Sequence, residues 1–336
     1  MVAGLAILAM AGAACVPAVP QRAATTTTAL PGPTLGQVQR TAGVAAPVLP
    51  NVSDPSVLTW QGRYYIYASD HLYRSPVTIV DDIDARLEWM GWFLATREAM
   101  PERPAWAAQN LQAWAPTVAR FGDRWIMFFS ADRVGPPQPH NAQCIGRAVA
   151  ADPAGPFVPD PEPWSCGIGG VGGALDPEVF TDVDGSRWLL MTYSDTNAPI
   201  RSVRLGADGR AAGPVNTILE RRWPWEYWFI ENPSMVADPG TGTYVMAYSA
   251  GRWTESGYST GVARCASPAG PCTSDPAGPW VSSGQGRTGT GGFTFFTDLS
   301  GRTRGMLSSW PQGSEGTGHR AASVLNVELG PVLVAR

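Results

Sequence analysis

The chain has 336 residues, 44% of them hydrophobic, and a formal net charge of −4. It is long and apolar enough to bury a large core, and its acidic balance without any basic run excludes nucleic acid as an expected partner. Gly (38) and Pro (31) make up about a fifth of the residues, yet apolar segments recur throughout, which excludes a disordered chain and favours many short strands and turns.

At the N-terminus, residues 1–14 (MVAGLAILAMAGAA) are small and apolar and too few to span a bilayer. They predict an export signal over residues 1–15. The AGAAC stretch ending at Cys15 resembles a bacterial lipobox, which implies lipidation of Cys15 and a place at the outer face of the cell membrane; without it the product is secreted. All 24 basic residues are arginine, which with the abundant Ala, Gly and Pro is the composition of a GC-rich bacterium. Residues 16–45 are rich in Pro, Thr and Ala, lack a strand or helix period, and predict a tether.

From residue 46 to 336 the sequence repeats. The copies are DPSVLTWQGRYYIYASD from Asp54, APTVARFGDRWIMFFSAD from Ala115, DPEVFTDVDGSRWLLMTYSD from Asp176, NPSMVADPGTGTYVMAYSAG from Asn232 and a degenerate GFTFFTDLSGRTRGMLSSW from Gly292. Each reads as a short apolar strand, a Gly/Asp turn and a strand of aromatic and β-branched residues. Pro55, Pro116, Pro177 and Pro233 lie 61, 61 and 56 residues apart, and Phe293 follows 60 later. A constant period near 60 with hairpins inside it predicts an all-β fold, a single five-bladed β-propeller of about four antiparallel strands per blade. Only RLEWMGWFLATREAM, from Arg86, is ambiguous between helix and strand.

The first strand of each propeller blade lines the axis, so equivalent positions meet at one end of the funnel. At the start of the repeats stand Asp54, Ala115, Asp176 and Asn232, with Glu231 and Trp114 one step earlier in their copies. Three carboxylates and an indole therefore share one phase and should converge. A lone Asp-Pro pair is a turn signal; three acids in register across a repeat are a chemical constellation. Crowded carboxylates are costly unless one is protonated or they perform chemistry. Glycosidic cleavage needs such a group: one acid to protonate the leaving oxygen and one carboxylate to activate water. Trp223, Trp225, Tyr227 and Trp228 precede Glu231, and aromatic faces suit the C–H faces of sugars; core packing is the other use of such rings. Trp225 and Trp228 are therefore taken as substrate-binding residues. The four remaining cysteines, in an exported chain, predict two disulfides. Three pairings are possible, and the short loops favour Cys144–Cys166 and Cys265–Cys272.

On DPSVL at Asp54, WAPTV at Trp114, LDPEVFTDVDG at Asp176 and IENPSMV at Glu231, in that order, the sequence resembles glycoside hydrolase family 43. The resemblance covers nearly all of the chain after the tether. It implies an inverting glycosidase acting on arabinofuranosyl or xylosyl linkages, with arabinose-containing substrates favoured. Asp54 is then the general base, Asp176 the pKa modulator and Glu231 the general acid. Trp114 and Arg320 contact the sugar. Many members carry an axial His that helps to hold an ion such as Ca2+; Gly292 stands at its position here, with His319 the nearest substitute, so no metal ligand and no required cofactor are expected. The expected partner is an arabinose- or xylose-containing polysaccharide, met by a monomer that touches a membrane only through a lipid anchor. A tethered, non-catalytic sugar-binding propeller is the alternative. A related propeller clan acting on fructans ranks last, because this chain has Ser53-Asp54-Pro55-Ser56 and Glu231-Asn232 where that clan shows Asn-Asp-Pro-Asn and Glu-Cys.

Overall fold

A computed structural model describes residues 32–69, 72–108, 112–134, 143–167, 173–194 and 198–336. The expected export signal, Cys15 and the first part of the expected tether lie outside the described residues.

The strand alternation seen in the sequence becomes five antiparallel sheets. The first blade is Ser53–Trp60, Arg63–Ser69, Pro76–Val80 and Thr96–Glu98, and the second is Trp114–Phe121, Arg124–Asp132, Gln143–Ala150 and Val158–Pro159. The third is Ala174–Thr181, Arg187–Tyr193, Ile200–Leu205 and Asn216–Leu219. The fourth is built on Ile230–Asp238, Thr243–Ala250 and Ser259–Cys265, and the fifth on Arg287–Thr297, Thr303–Pro311, Ala321–Glu328 and Val332–Ala335. Each innermost strand touches the innermost strand of the next blade, and that of the fifth touches that of the first, so the ring closes as a five-bladed β-propeller. The hairpin signals act as expected: Gln61 and Gly62 both take positive φ (49° and 77°), which a two-residue turn between twisted strands requires.

The core lies between blades. Side chains alternate along a strand, so both faces of a blade must be apolar to pack against two neighbours. In the first blade Tyr65 and Tyr67 face Trp125, Met127 and Phe129 of the second. Tyr64, Ile66 and Ala68, on the opposite face, meet Phe296 and Met306 of the fifth. This is why YYIYAS is a continuous apolar run rather than an alternating one.

One sequence expectation is corrected and one ambiguity is resolved. Residues 37–42, within the stretch expected to be tether, form strands: Gln37–Gln39 pairs in parallel with Val332–Val334 of the fifth blade, and Thr41–Ala42 with Val281–Ser282 of the fourth. Leu35 and Val44 join the core between those blades, and Arg264, buried on Asp238, donates to the Leu35 carbonyl at 3.0 Å. No period marks them because parallel strands of two or three residues are too short to show one. The ambiguous segment from Arg86 is a helix, Trp89–Ala95, followed by the strand Thr96–Glu98. The disulfides are Cys144–Cys166 and Cys265–Cys272, the local pairings. Among the described residues no helix is long and apolar enough to cross a membrane.

Candidate active site

Every innermost strand breaks its pairing at the same phase. The register shifts lie between Ser53 and Ser56, Trp114 and Thr117, Leu175 and Glu178, Glu231 and Ser234, and Gly291 and Thr294. Inside each bulge one residue is left-handed: Asp54 (φ 46°), Ala115 (43°), Asp176 (53°), Asn232 (48°) and Gly292 (63°). Proline follows in four of the five, where its missing N–H costs no ladder bond. A left-handed non-glycine residue is strained, least so for Asp and Asn. Repeated around an axis, the bulge turns one end of the funnel into a ring of redirected side chains, as strain at functional sites commonly does.

The three acids meet in one cleft of about 640 Å³, whose lining includes Asp54, Asp176, Glu231, Trp114, Trp228 and Arg320. Arg320 Nη1 lies 2.9 Å from Asp54 Oδ1, and Ser69 Oγ donates to Asp54 Oδ2 at 3.0 Å. The Asn232 N–H donates to Asp176 Oδ2 at 3.2 Å, and the Asp176 N–H to Ser130 Oγ at 2.8 Å. Tyr258 donates its hydroxyl to Glu231 Oε1 at 2.7 Å, with Asn232 Oδ1 at 2.9 Å, and the Arg320 guanidinium lies 5.4 Å over the Tyr258 ring. Arg320 and Tyr258 thus link Asp54 to Glu231.

The electrostatics differ between the acids. Burial, and then the charges of Glu231 and Asp54, push the Asp176 carboxyl well above the usual range. Glu231 is pushed up to about 7, by burial first and then by the Asp54 charge, against the lowering effects of the Tyr258 hydrogen bond and Arg320. Burial first, and then repulsion from neighbouring carboxylates, therefore favour the protonated forms of Asp176 and Glu231. Asp54 has a guanidinium on one oxygen and a hydroxyl on the other.

Of the residues read as substrate-binding, Trp114, Trp228 and Arg320 line the cleft and Trp225 does not. The 3-10 turn Pro224–Glu226 sends the Trp225 ring onto Tyr248 (6.1 Å) and its Nε1 to the Asp275 carbonyl (3.0 Å), a packing role inside the fourth blade. Trp228, 61% exposed and at a positive φ of 72°, carries the Arg252 guanidinium 3.7 Å over its ring. The wall continues through Trp253, stacked on Trp310 at 6.1 Å. Sequence reading missed Ser69, Tyr258, Arg252, Trp253 and Trp310. A signal existed for Ser69 alone, which stands near the end of the second strand of its blade as Ser130, Ser249 and Ser308 do in theirs.

The residues present do not fit an axial ion held from position 292. Gly292 offers no side-chain ligand, and a Cβ there would collide with Asp54. His319 is exposed, its Nδ1 2.6 Å from Asn51 Oδ1 and its ring 5.3 Å from that of Trp89, outside the cleft lining. Among the described residues no group of three or more His, Cys, Asp or Glu side chains is placed to hold a metal.

Several known proteins are similar to this chain. An extracellular endo-α-(1→5)-L-arabinanase of Thermotoga petrophila is 26% identical over 258 residues, 68% of this chain and 51% of that protein. A xylosidase/arabinosidase 43A of Humicola insolens is 30% identical over 161 residues, 43% of this chain and 45% of that one. The chain thus spans about half the length of the curated relatives it matches. The crystal structure of a thermostable family-43 glycoside hydrolase superposes with a TM-score of 0.73 at 20% identity, over 89% of this chain and 96% of that one. The model of the glycosyl hydrolases family 43 matches residues 44–319, from just before the first bulge to the residue before Arg320. With that match spanning four blades and reaching into the fifth, the chain belongs to glycosyl hydrolases family 43.

Proposed function

We propose that residues 46–336 form an inverting glycoside hydrolase acting on arabinofuranosyl or xylosyl linkages, with arabinose-containing polysaccharides favoured. One observation carries the reading: three carboxylates from three blades converge in one cleft, one of them, Glu231, raised to about 7 while Asp54 is held by Arg320 and Ser69. Family membership and the arabinose- and xylose-directed names of the relatives support the substrate class.

In this mechanism Glu231 gives its proton to the glycosidic oxygen as the bond from that oxygen to the anomeric carbon breaks. A water attacks the opposite face of the sugar, forms the new C–O bond and passes a proton to Asp54. Each turnover consumes one water, and the proton gained by Asp54 restores Glu231 through solvent. Asp176, fixed by the Asn232 amide and titrating together with Glu231, is the pKa modulator of the pair. Trp114 shapes the subsite for the released sugar, and Arg320 both holds the base and faces the sugar. The two disulfides and the apolar run at residues 1–14 support export, with Cys15 as the lipid-bearing residue of an anchored form.

The test is turnover by Asp54→Ala and Glu231→Ala on arabinan, xylan and aryl arabinosides. Each variant should stay folded by circular dichroism and lose activity roughly 10³-fold or more, except that Glu231→Ala retains more on an aryl glycoside, whose leaving group needs less protonation. Near wild-type turnover by either variant on polymer contradicts the assignment.

A further inference from the structure

Near the cleft end of the second strand of each blade, one residue stands opposite the bulge of its own first strand: Ser69, Ser130, Thr192, Ser249 and Ser308 pair with Ser53, Trp114, Leu175, Glu231 and Gly291. All five carry a hydroxyl. Four of these hydroxyls accept the N–H of the left-handed residue in the following blade: Ser69 from Ala115 at 2.9 Å, Ser130 from Asp176 at 2.8 Å, Ser249 from Gly292 at 2.8 Å and Ser308 from Asp54 at 3.4 Å. Ser130, Ser249 and Ser308 are fully buried, and Ser69 is 9% exposed.

The fifth position departs from the pattern. Thr192 Oγ1 is buried without a partner among the described residues, and the Asn232 N–H that it would accept goes to Asp176 Oδ2 instead. A buried hydroxyl without a partner is destabilising, so the departure is not a neutral variation. At this blade alone, a catalytic carboxylate has taken the place of the hydroxyl.

Ser69 differs in a second way. A hydroxyl has one proton and two lone pairs. The Ala115 N–H occupies a lone pair of Ser69 Oγ, which leaves the proton for Asp54 Oδ2, 3.0 Å away. With Arg320 on Oδ1, both oxygens of Asp54 are fixed in direction. By contrast, Ser308 directs its proton to the Gly291 carbonyl.

We infer that this hydroxyl ring is a positioning device for the two aspartates. Ser69 aims Asp54 at the attacking water, and the break at Thr192 gives the Asn232 amide to Asp176, which holds that carboxylate beside Glu231. The inference rests on the reading of Asp54 as general base. Ser69 touches neither water nor sugar in this scheme and acts through Asp54.

Steady-state kinetics of Ser69→Ala, Ser69→Thr and Asp54→Asn, on whichever polymer or aryl glycoside the wild type turns over best, test it. Ser69→Ala should lower kcat roughly 10- to 100-fold, as misaimed catalytic groups do, with KM changed less than about threefold. Ser69→Thr keeps the hydroxyl at a register position where the third blade carries Thr192, and it should recover kcat to within about fivefold of wild type. If Ser69→Ala fails to fold by circular dichroism, Ser69→Cys, similar in size and a weak donor, takes its place with the same expectation. A kcat loss below about fivefold for the donor-deficient variant, with Asp54→Asn inactive, overturns the positioning role. Equal losses in the alanine and threonine variants, with both melting midpoints lowered, overturn it in favour of a purely structural serine. Wild-type turnover by Asp54→Asn identifies the failure of the general-base reading itself.

Discussion

A Cβ on residue 292 would stand 2.8 Å from Asp54 Oδ1 and 2.9 Å from Asp54 Cα, so the fifth blade meets the first at a contact that glycine alone permits. The same residue is left-handed, at φ 63°. The contact places the Asp54 carboxylate against bare backbone, and in this packing a larger residue at 292 would displace the proposed base. Gly292→Ala should therefore do two things. The left-handed backbone costs about 1–2 kcal/mol for alanine, which lowers the melting midpoint. The displaced Asp54 lowers kcat roughly tenfold or more. Calorimetry and steady-state kinetics on the same preparation check both; a folded Gly292→Ala with unchanged kcat contradicts the contact's role.

The alkaline limb of activity should report Glu231. Only the protonated acid can donate, so activity is full below about 7 and falls as pH rises through it, a limb shared with Asp176 because the two titrate together. The Tyr258 hydroxyl favours the Glu231 carboxylate and so lowers its pKa. Tyr258→Phe removes that hydrogen bond, and the limb should move to higher pH by about half a unit to one unit in a kcat/KM profile. A limb that stays in place or moves to lower pH contradicts this account of the acid.

A further carboxylate, Glu178, titrates in the axial channel. It belongs to a ring formed by the second residue after each left-handed position: Ser56, Thr117, Glu178, Ser234 and Thr294. Burial raises it from the ordinary value near 4.5 to about 7, although hydrogen bonds from Thr117, Ser234 and Thr294 oppose the shift. The folded state therefore binds this proton more tightly than the unfolded chain. Its contribution to stability is full below about pH 4.5 and is lost as pH rises through about 7, a change of about 1–3 kcal/mol. Glu178→Gln stays neutral, so its melting midpoint should fall less between pH 5 and 8 than that of the wild type. Parallel profiles for the two proteins would contradict the buried-proton assignment.

The aromatic wall should separate polymer from small substrates. Trp253 is half exposed and stacked on Trp310, in the same cleft as Glu231. Trp253→Ala should raise KM for a long arabino- or xylo-oligosaccharide roughly fivefold, the worth of one lost aromatic contact, and leave kcat/KM for an aryl monoglycoside unchanged. Equal effects on both substrates would place Trp253 in the subsite of the cleaved sugar or in the core instead.

What could be read from the sequence follows from which forces repeat along it. Asp54, Asp176 and Glu231 were legible because a blade pitch near 60 residues puts equivalent positions at one rim, and their neighbouring prolines marked the phase. Ser69 belongs to the same repeat and could have been found by the same alignment. Tyr258, Arg252 and Trp253 could not, because they arise after the second strand of the fourth blade alone, with no counterpart to set a phase. Trp225 and Trp228 sit three residues apart in one aromatic run; a 3-10 turn and one strained left-handed residue, neither visible as a period, send the first into the blade and the second into the cleft. The staple formed by residues 37–42 was hidden for a similar reason, since its partners lie some 240 to 295 residues away.

The most direct test of the central claim is proton NMR of arabinan and xylan digests, followed from the first seconds of turnover. The account predicts that the anomer released first has the configuration opposite to that of the bond cleaved, and that no such product forms with Asp54→Ala. A first product of retained configuration, or sugar binding with no hydrolysis of any arabinoside or xyloside, would contradict it.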